Sequence, residues 1–180
     1  MDVRAFVAVD LDAAARERLI GAMEALRPQL GGVKWVRPEG LHLTLRFLGA
    51  SAEGALDCLK PRLASAASRC RAAEARLTGL GLFPERGAPR VLWVGLDFKP
   101  SLRALQSATE AAAVACGFAR ERRPFSPHLT LGRWRDRVAR PALPATELGV
   151  ARLERLVLYR SELRPGGAVY TPLATFPLGA

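Results

Sequence analysis

Cysteine, histidine and lysine are all rare in this chain of 180 residues, and each shortage narrows what the protein can be. The three cysteines (Cys58, Cys70 and Cys116) are odd in number and lack the close spacing of a metal-binding pair. We therefore predict that all three are reduced packing residues, as in a cytoplasmic protein. No apolar run is long enough to cross a bilayer, and the polar first residues give no signal-peptide pattern. We accordingly expect no membrane partner.

The positive charge of the chain is almost entirely arginine. Only three of the 27 basic residues are lysine, and the formal net charge is +10. Arginine binds phosphate through a planar, bidentate fork, so an anionic ligand fits this composition. A solvated basic surface fits it equally well, and charge alone does not decide between the two.

The same order of secondary structure is predicted twice along the chain. The first copy has a strand at 3–9, a helix capped by Asp12, a short strand at 33–36 and a strand at 41–48; the second has a strand at 90–97, a helix at 101–116 and a strand at 128–133. A helix at 52–70 and a strand at 75–83 separate the copies, and a hairpin of strands at 150–163 and 168–176 follows. We predict one α+β domain over residues 1–180, in which two pseudo-symmetric lobes of mostly antiparallel sheet, flanked by helices, enclose a cleft.

The only two histidines begin the same tetrapeptide, His-Leu-Thr-Leu, at 42–45 and at 128–131. Alternate residues of a strand share a face, so each histidine should point the same way as its threonine. The leucines between them should then pack in the core. Two such strands facing each other would place His42, Thr44, His128 and Thr130 in one pocket.

This set of side chains suits acid–base chemistry on a phosphate. A neutral imidazole can take a proton from water while a protonated imidazole gives one to the leaving oxygen, and the hydroxyls can hold phosphate oxygens. The scheme requires neither a cofactor nor a metal, and two histidines without neighbouring acids or cysteines do not form a usual zinc set. The residues alone do not tell which histidine is the acid.

Two further hypotheses concern arginine. Strand parity places Arg46 on the face of His42 and Thr44, which makes it a candidate phosphate ligand. The segment 120–140 holds seven arginines together with Phe125 and Trp134, so it could bind RNA by phosphate contact and base stacking. The alternative for that segment is two core aromatic residues beside a solvated basic loop.

The sequence resembles the two-histidine phosphoesterase superfamily, in particular the RNA 2′,3′-cyclic phosphodiesterase branch that is also called 2′-5′ RNA ligase. The resemblance spans nearly the whole chain and is carried by RAFVAVDL near the start, HLTLRFLG at 42–49, RVLWVGL at 90–96, RPFSPHLTLGR at 123–133 and YTPLATFPL at 170–178. It implies a bilobal fold, a site without cofactors between the lobes, and hydrolysis of a terminal 2′,3′-cyclic phosphate to a 2′-phosphomonoester.

The resemblance also implies roles for individual residues. His42 would be the proton donor, His128 the proton acceptor, and Arg133 a phosphate ligand. Simple alternation sets Arg133 opposite to His128, so this last role requires the strand to bulge or end near Gly132. Arginine is not a regular feature of the family at the position of Arg46.

Three functions stay open at this point. The first is the phosphodiesterase, acting as a monomer on RNA ends such as tRNA fragments or on cyclic nucleotides. The second is 2′-5′ ligation of RNA ends at the same site, with a 5′-hydroxyl in place of water. The third is a nucleotide- or RNA-binding module without turnover, although such a module would not need two poised acid–base groups.

Overall fold

The computed structural model describes residues 2–179 and has eight strands and three α-helices in that range. In chain order they are β1 (Val3–Leu11), α1 (Ala13–Leu26), β2 (Val33–Trp35), β3 (His42–Ser51), α2 (Glu53–Ser68), β4 (Ala73–Phe83), β5 (Val91–Leu96), α3 (Pro100–Ala115), β6 (His128–Trp134), β7 (Val150–Arg164) and β8 (Gly167–Pro177). A 3₁₀ turn at Pro38–Gly40 precedes β3. Every predicted strand and helix is present, with bounds that differ by a few residues at most.

All strands pair antiparallel, in the order β2-β6-β5-β4-β7-β1-β3, and β8 pairs with β7. The long strand β4 connects two halves of this path, because its first residues, 73–76, pair with β7 and its remainder pairs with β5. The trio β3-β1-β7 in one half corresponds to the trio β6-β5-β4 in the other. The α+β class and the antiparallel sheet are therefore confirmed.

Both motif strands carry a bulge at the same place. Between β1 and β3, Thr44 pairs with Ala8 and Arg46 with Val7, so Leu45 has no partner. Between β5 and β6, Thr130 pairs with Trp93 and Gly132 with Leu92, which leaves Leu131 without a partner. An extra residue reverses the alternation of faces from that point on. The side chains that directly follow each bulge, Arg46 and Phe47 in β3 and Gly132 and Arg133 in β6, therefore face the opposite way from what simple alternation predicts.

The helices cover one face of the sheet and leave the other free for a cleft. The carboxylate of Asp12 accepts a hydrogen bond from the Ala15 amide at 3.2 Å, which confirms the predicted helix cap. The buried face of α1 is apolar and packs into the main core (Ala15, Leu19, Met23 and Leu26). Leu43 and Leu129, between the motif residues, are fully buried in the same core. Their burial orients the flanking histidines and threonines away from the helices.

The prediction for the cysteines is wrong for two of the three. Cys58 in α2 and Cys116 at the end of α3 form a disulfide, with their Cα atoms 5.8 Å apart. Cys70 is a buried free cysteine, as expected. The bond joins the helix that follows β3 to the helix that follows β5, and these cysteines are 58 residues apart in the sequence, so their proximity could not be predicted.

Within residues 2–179, no helix has both the length and the apolar character to cross a membrane.

Candidate active site

One cleft of about 910 Å³ receives side chains from both motifs. His42 and Thr44 reach it from β3, and His128 and Thr130 reach it from β6. The structure thus brings together the four residues that alternation along the two strands predicted. Two imidazoles and two hydroxyls in a single cleft can hold a phosphate group and move protons on it.

His42 lies in an aromatic enclosure and is only 8% exposed. Its ring stacks against Phe6, at a centroid distance of 4.9 Å, and against Tyr159, at 5.6 Å, while Tyr170 meets it edge-on at 5.3 Å. Burial, and secondly the charge of Arg16, lower the pKa of His42 from 6.5 to about 4. The Glu39 backbone opposes this pKa shift. In the ligand-free protein His42 is therefore neutral near pH 7.

His128 is oriented by the backbone carbonyl of Ser126, two residues before it. Its Nδ1 lies 2.7 Å from the Ser126 carbonyl oxygen, so in the neutral ring Nδ1–H donates and Nε2 is left as the free acceptor. Burial is the main cause that lowers the pKa of His128, and the Arg133 charge lowers it further, whereas the Ser126 carbonyl raises it. A neutral imidazole held in this tautomer is suited to accept a proton.

Two aromatic rings flank His128 on the side of its own lobe. Phe83 meets the imidazole edge-on at 5.1 Å and Trp93 at 6.3 Å. The indole of Trp93 lies over Gly81, where an added Cβ would be 2.1 Å from the ring. Gly81 is therefore needed at this position, because any side chain there would displace the Trp93 ring that packs against His128.

Arg133 lines the cleft because of the bulge in β6. It pairs with Val91, two residues from Trp93 along β5, and so shares the face of Thr130 and His128. The strand irregularity that a phosphate-binding Arg133 requires is present, one residue earlier than Gly132.

Arg46 does not line the cleft, and the expectation that it shares the face of His42 and Thr44 is wrong. The bulge at Leu45 turns Arg46 toward α3, where its Nε lies 2.5 Å from Oε2 of Glu110. The guanidinium is thus committed to a carboxylate on the helix face of the sheet. Arg46 is therefore not a phosphate ligand of this cleft.

The basic residues that line the cleft come mostly from outside the arginine-rich segment. Arg4, Lys34 and Arg37 join Arg133 there, against one acidic residue, Glu39. Within segment 120–140, Arg133 is the one arginine among the described residues that reaches the cleft.

The aromatic residues of segment 120–140 belong to the core. Phe125 packs against Phe98 at 5.0 Å, and Trp134 is buried and donates its Nε1–H to the Gly31 carbonyl at 3.0 Å. The interpretation of these two rings as base-stacking residues is therefore wrong.

Several apolar or aromatic residues of the cleft were not predicted from the sequence, among them Phe47, Leu163 and Tyr170. Phe47 is 58% exposed, and Leu163 is exposed as well, so both present apolar surface beside the charged residues of the cleft. The signal for Phe47 was available in part, because it occupies the position in the first copy that Arg133 occupies in the second. Without the bulge, alternation placed it on the wrong face.

A partly buried hydrogen bond holds the Tyr159 ring that packs against His42. The Tyr159 hydroxyl donates to Oδ1 of Asp10 at 2.7 Å, and Asp10 pairs with His42 across the β1–β3 ladder. Burial, followed by the Asp10 carboxylate, raises the pKa of Tyr159, so the phenol stays protonated. The ring that stacks on His42 is thereby fixed in place.

This sheet, with two histidine–threonine strands on one cleft, is the arrangement expected of a two-histidine phosphoesterase. The chain belongs to the 2′-5′ RNA ligase superfamily, whose family model matches residues 11–164. It is 36% identical over 185 residues to the RNA 2′,3′-cyclic phosphodiesterase of Methanothermobacter thermautotrophicus, covering 99% of this chain and 100% of that protein. The enzyme of the same description from Thermus thermophilus is 37% identical, over 98% of this chain and 90% of its own.

Solved structures agree with this assignment. The Thermus thermophilus protein TT0787 superposes with a TM-score of 0.85 at 36% identity, covering 97% of both chains. The E. coli LigT complex with 3′-AMP has a TM-score of 0.84 at 28% identity, and the match covers 100% of both chains.

Proposed function

We propose that the protein is an RNA 2′,3′-cyclic phosphodiesterase that opens a terminal 2′,3′-cyclic phosphate to a 2′-phosphomonoester. The observation that carries this proposal is the meeting of His42, Thr44, His128 and Thr130 in one cleft with Arg133. The curated relatives of matching length are RNA 2′,3′-cyclic phosphodiesterases, which supports the same substrate class.

In the proposed reaction, Nε2 of His128 takes a proton from a water molecule that attacks the phosphorus atom. The bond from phosphorus to the 3′ oxygen breaks, and His42 gives its proton to that oxygen. The products are a 2′-phosphate and a free 3′-hydroxyl, and the proton transfers leave the two imidazoles with exchanged protonation states. The tautomer of His128 set by Ser126 supports its role as acceptor.

The anionic substrate also favours the protonated form of His42, the proposed proton donor. Burial keeps His42 neutral in the free protein, yet a proton donor must be protonated. A phosphodiester anion beside the ring favours the imidazolium and raises its pKa. Thr44, Thr130 and Arg133 would hold the nonbridging oxygens through hydrogen bonds, of which those from the guanidinium are charge-assisted.

The test is turnover of a short RNA ending in a 2′,3′-cyclic phosphate, with the product identified as the 2′- or the 3′-monoester. We expect the 2′-monoester, and a fall in turnover on the order of 10² to 10⁴ for His42→Ala or His128→Ala. The double variant should be little worse than either single one, because the two groups act as a unit. A folded single variant with normal turnover would contradict the proposal, and a 3′-monoester would reverse the substrate orientation.

The same site could join RNA ends if a 5′-hydroxyl replaced water as the nucleophile. The name of the superfamily model supports this second activity. Incubating the protein with one RNA that ends in a cyclic phosphate and another with a 5′-hydroxyl would reveal a 2′-5′-linked product. Absence of both joining and hydrolysis would leave only nucleotide binding.

We further propose that the protein acts as a monomer in the cytoplasm, where RNA processing would supply its substrate. Everything the mechanism uses lies within one copy of the chain. Sedimentation of the active protein would test the monomer. The Cys58–Cys116 bond counts against a cytoplasmic location, since disulfides are uncommon in a reducing compartment.

A further inference from the structure

Arg46 and Glu110 form a largely buried ion pair behind the catalytic cleft. Arg46 lies on β3, two residues after Thr44, and Glu110 lies on α3, the helix that follows β5 in the chain and packs against α2 and β3. Their Nε and Oε2 atoms are 2.5 Å apart, and the side chains are only 9% and 17% exposed. The pair therefore connects the strand of His42 to the helix that precedes the strand of His128 in the chain.

Both partners also hold the segment 117–127, which leads from α3 into β6. Oε1 of Glu110 accepts a hydrogen bond from the Glu121 amide at 2.9 Å, and the Arg46 guanidinium donates to the Ala119 carbonyl oxygen. A third contact, to the Phe47 carbonyl oxygen at 2.6 Å, fixes the guanidinium to its own strand. The segment is thus attached to β3 by the Arg46 side chain and to α3 by the Glu110 side chain.

The segment ends at the proposed base. Phe125 anchors its second half against Phe98, and the Ser126 carbonyl then orients the imidazole of His128. The Cys58–Cys116 bond lies at the other end, where α3 stops. Any shift of the segment would move Ser126, and with it the direction of Nε2.

We propose that Arg46 and Glu110 are positioning residues that set His128 relative to His42 by clamping segment 117–127 to β3. A buried ion pair is weak grounds for stability, because desolvation offsets most of its attraction. Its geometric demands are strict, however, and misplacing a catalytic group by about 1 Å can cost on the order of 10² in rate. The kinetic test of this inference rests on the proposed function of His128. The structural test does not depend on that function.

The kinetic test compares Arg46→Met/Glu110→Met with the wild type, using a 2′,3′-cyclic nucleotide as substrate. Replacing both partners by apolar residues leaves no uncompensated charge, so the fold should be kept. We expect kcat to fall by roughly 10- to 100-fold and KM to change by less than about threefold, because the phosphate ligands are untouched. The control is Lys60→Met/Asp57→Met, which removes an exposed ion pair of α2. It should leave kcat unchanged.

Arg46→Lys is the second variant, because it keeps the charge beside Glu110 but cannot span all three partners. We expect a drop in kcat of roughly three- to tenfold, again without a matching change in KM. Wild-type kcat in either variant, measured well below its melting temperature, would overturn the proposal. A variant that lost thermal stability but kept the wild-type kcat would show a purely structural role, which would also overturn the proposal.

The structural test is hydrogen exchange at the Glu121 amide, which requires no activity. Exchange should be at least about tenfold faster in the double methionine variant than in the wild type, while amides of β1 keep their protection. Unchanged protection of Glu121 would show that Glu110 does not hold the segment. If the wild type hydrolysed no cyclic phosphate, the proposed function would fail, and this exchange measurement would still decide the clamp.

Discussion

Phe47 and Arg133 occupy equivalent positions in the two lobes, 86 residues apart, and both face the cleft. Each is the second residue after an unpaired leucine in a bulged motif strand. The pseudo-symmetric histidines and threonines are therefore flanked by an arginine on one side and an exposed aromatic ring on the other. Since a ring face binds bases and a guanidinium binds phosphate, this difference gives the cleft a direction.

We expect Phe47→Ala to weaken the use of cyclic nucleotides mainly through KM. Stacking of a base on an aromatic side chain contributes about 1–3 kcal/mol, so kcat/KM should fall by roughly 5- to 150-fold. Phe47→Trp, which keeps a ring, should retain most of the activity. Leu173→Ala is the control, because Leu173 is also an exposed apolar residue but does not line the cleft. Equal kinetics for Phe47→Ala and the control would refute a stacking role.

Arg133→Met should reduce kcat/KM by roughly 10- to 150-fold, since a charged hydrogen bond to phosphate contributes about 1.5–3 kcal/mol. Arg122→Met is the matched control: Arg122 lies in the same arginine-rich segment, is exposed and does not line the cleft. The comparison separates local phosphate binding from the general positive charge of the segment. A larger loss for Arg122→Met would restore that segment as the RNA-binding surface.

Alternation along the strands was enough to locate the histidines and threonines, whereas it was not enough to locate the arginines. Alternation holds from His42 to Thr44 and from His128 to Thr130, so period two was enough for these four. Beyond these four residues the alternation fails. A leucine fits the core whether it is paired or bulged, so the amino-acid sequence does not mark Leu45 or Leu131 as the extra residue. The resemblance to a family supplied the need for irregularity near Arg133, but gave no reason to apply the same irregularity to Arg46.

The disulfide could not be predicted from the sequence, for a different reason. Cys58 and Cys116 come together only because α2 and α3 pack side by side, and this contact between helices depends on the tertiary fold. Sequence spacing carries no information about such a pairing. The core, by contrast, was predictable, since the apolar periodicity of α1 and the leucines of the motifs define their buried faces directly.

Replacing Cys58 and Cys116 together by alanine should lower the free energy of unfolding by about 2–4 kcal/mol, because the bond restricts the unfolded chain. Denaturant unfolding with and without a reducing agent measures this difference, and the reductant should have no effect on the double variant. Thiol titration of the denatured protein supplies the control, with one reactive cysteine before reduction and three afterwards. Three thiols without reductant would show that the bond does not form.

The low pKa of His42 predicts a loss of stability in acid. Its folded pKa of about 4 lies below the reference value of 6.5, so the unfolded chain binds more protons between these pH values. Stability is therefore full above pH 6.5 and is lost as the pH falls toward 4. We expect the wild type to lose about 3 kcal/mol more than His42→Phe between about pH 7 and pH 4. Parallel stability curves for the two proteins would contradict the burial of a neutral imidazole.

The same pKa shifts predict that kcat and kcat/KM differ in their pH dependence. Both profiles should be bell-shaped, because one imidazole must be neutral and the other protonated, and the limbs belong to the pair. The kcat/KM profile reports the free enzyme, in which burial lowers the pKa of both histidines. The kcat profile reports the complex, where the phosphate anion favours the imidazolium. Its limbs should therefore lie at higher pH than those of kcat/KM.

Arg16→Met tests the electrostatic part of this argument. Arg16 lies on α1, donates to the Pro38 carbonyl oxygen at 2.6 Å, and lowers the pKa of His42 through its charge. Its removal should move at least one limb of the kcat/KM profile to higher pH, by less than about one unit because burial is the larger cause. Glu17→Gln, on the same helix but exposed, should leave the profile in place. If the pH profiles of kcat and kcat/KM coincided in the wild type, substrate binding would not raise the pKa of His42. His42 would then have to obtain its proton before the substrate binds.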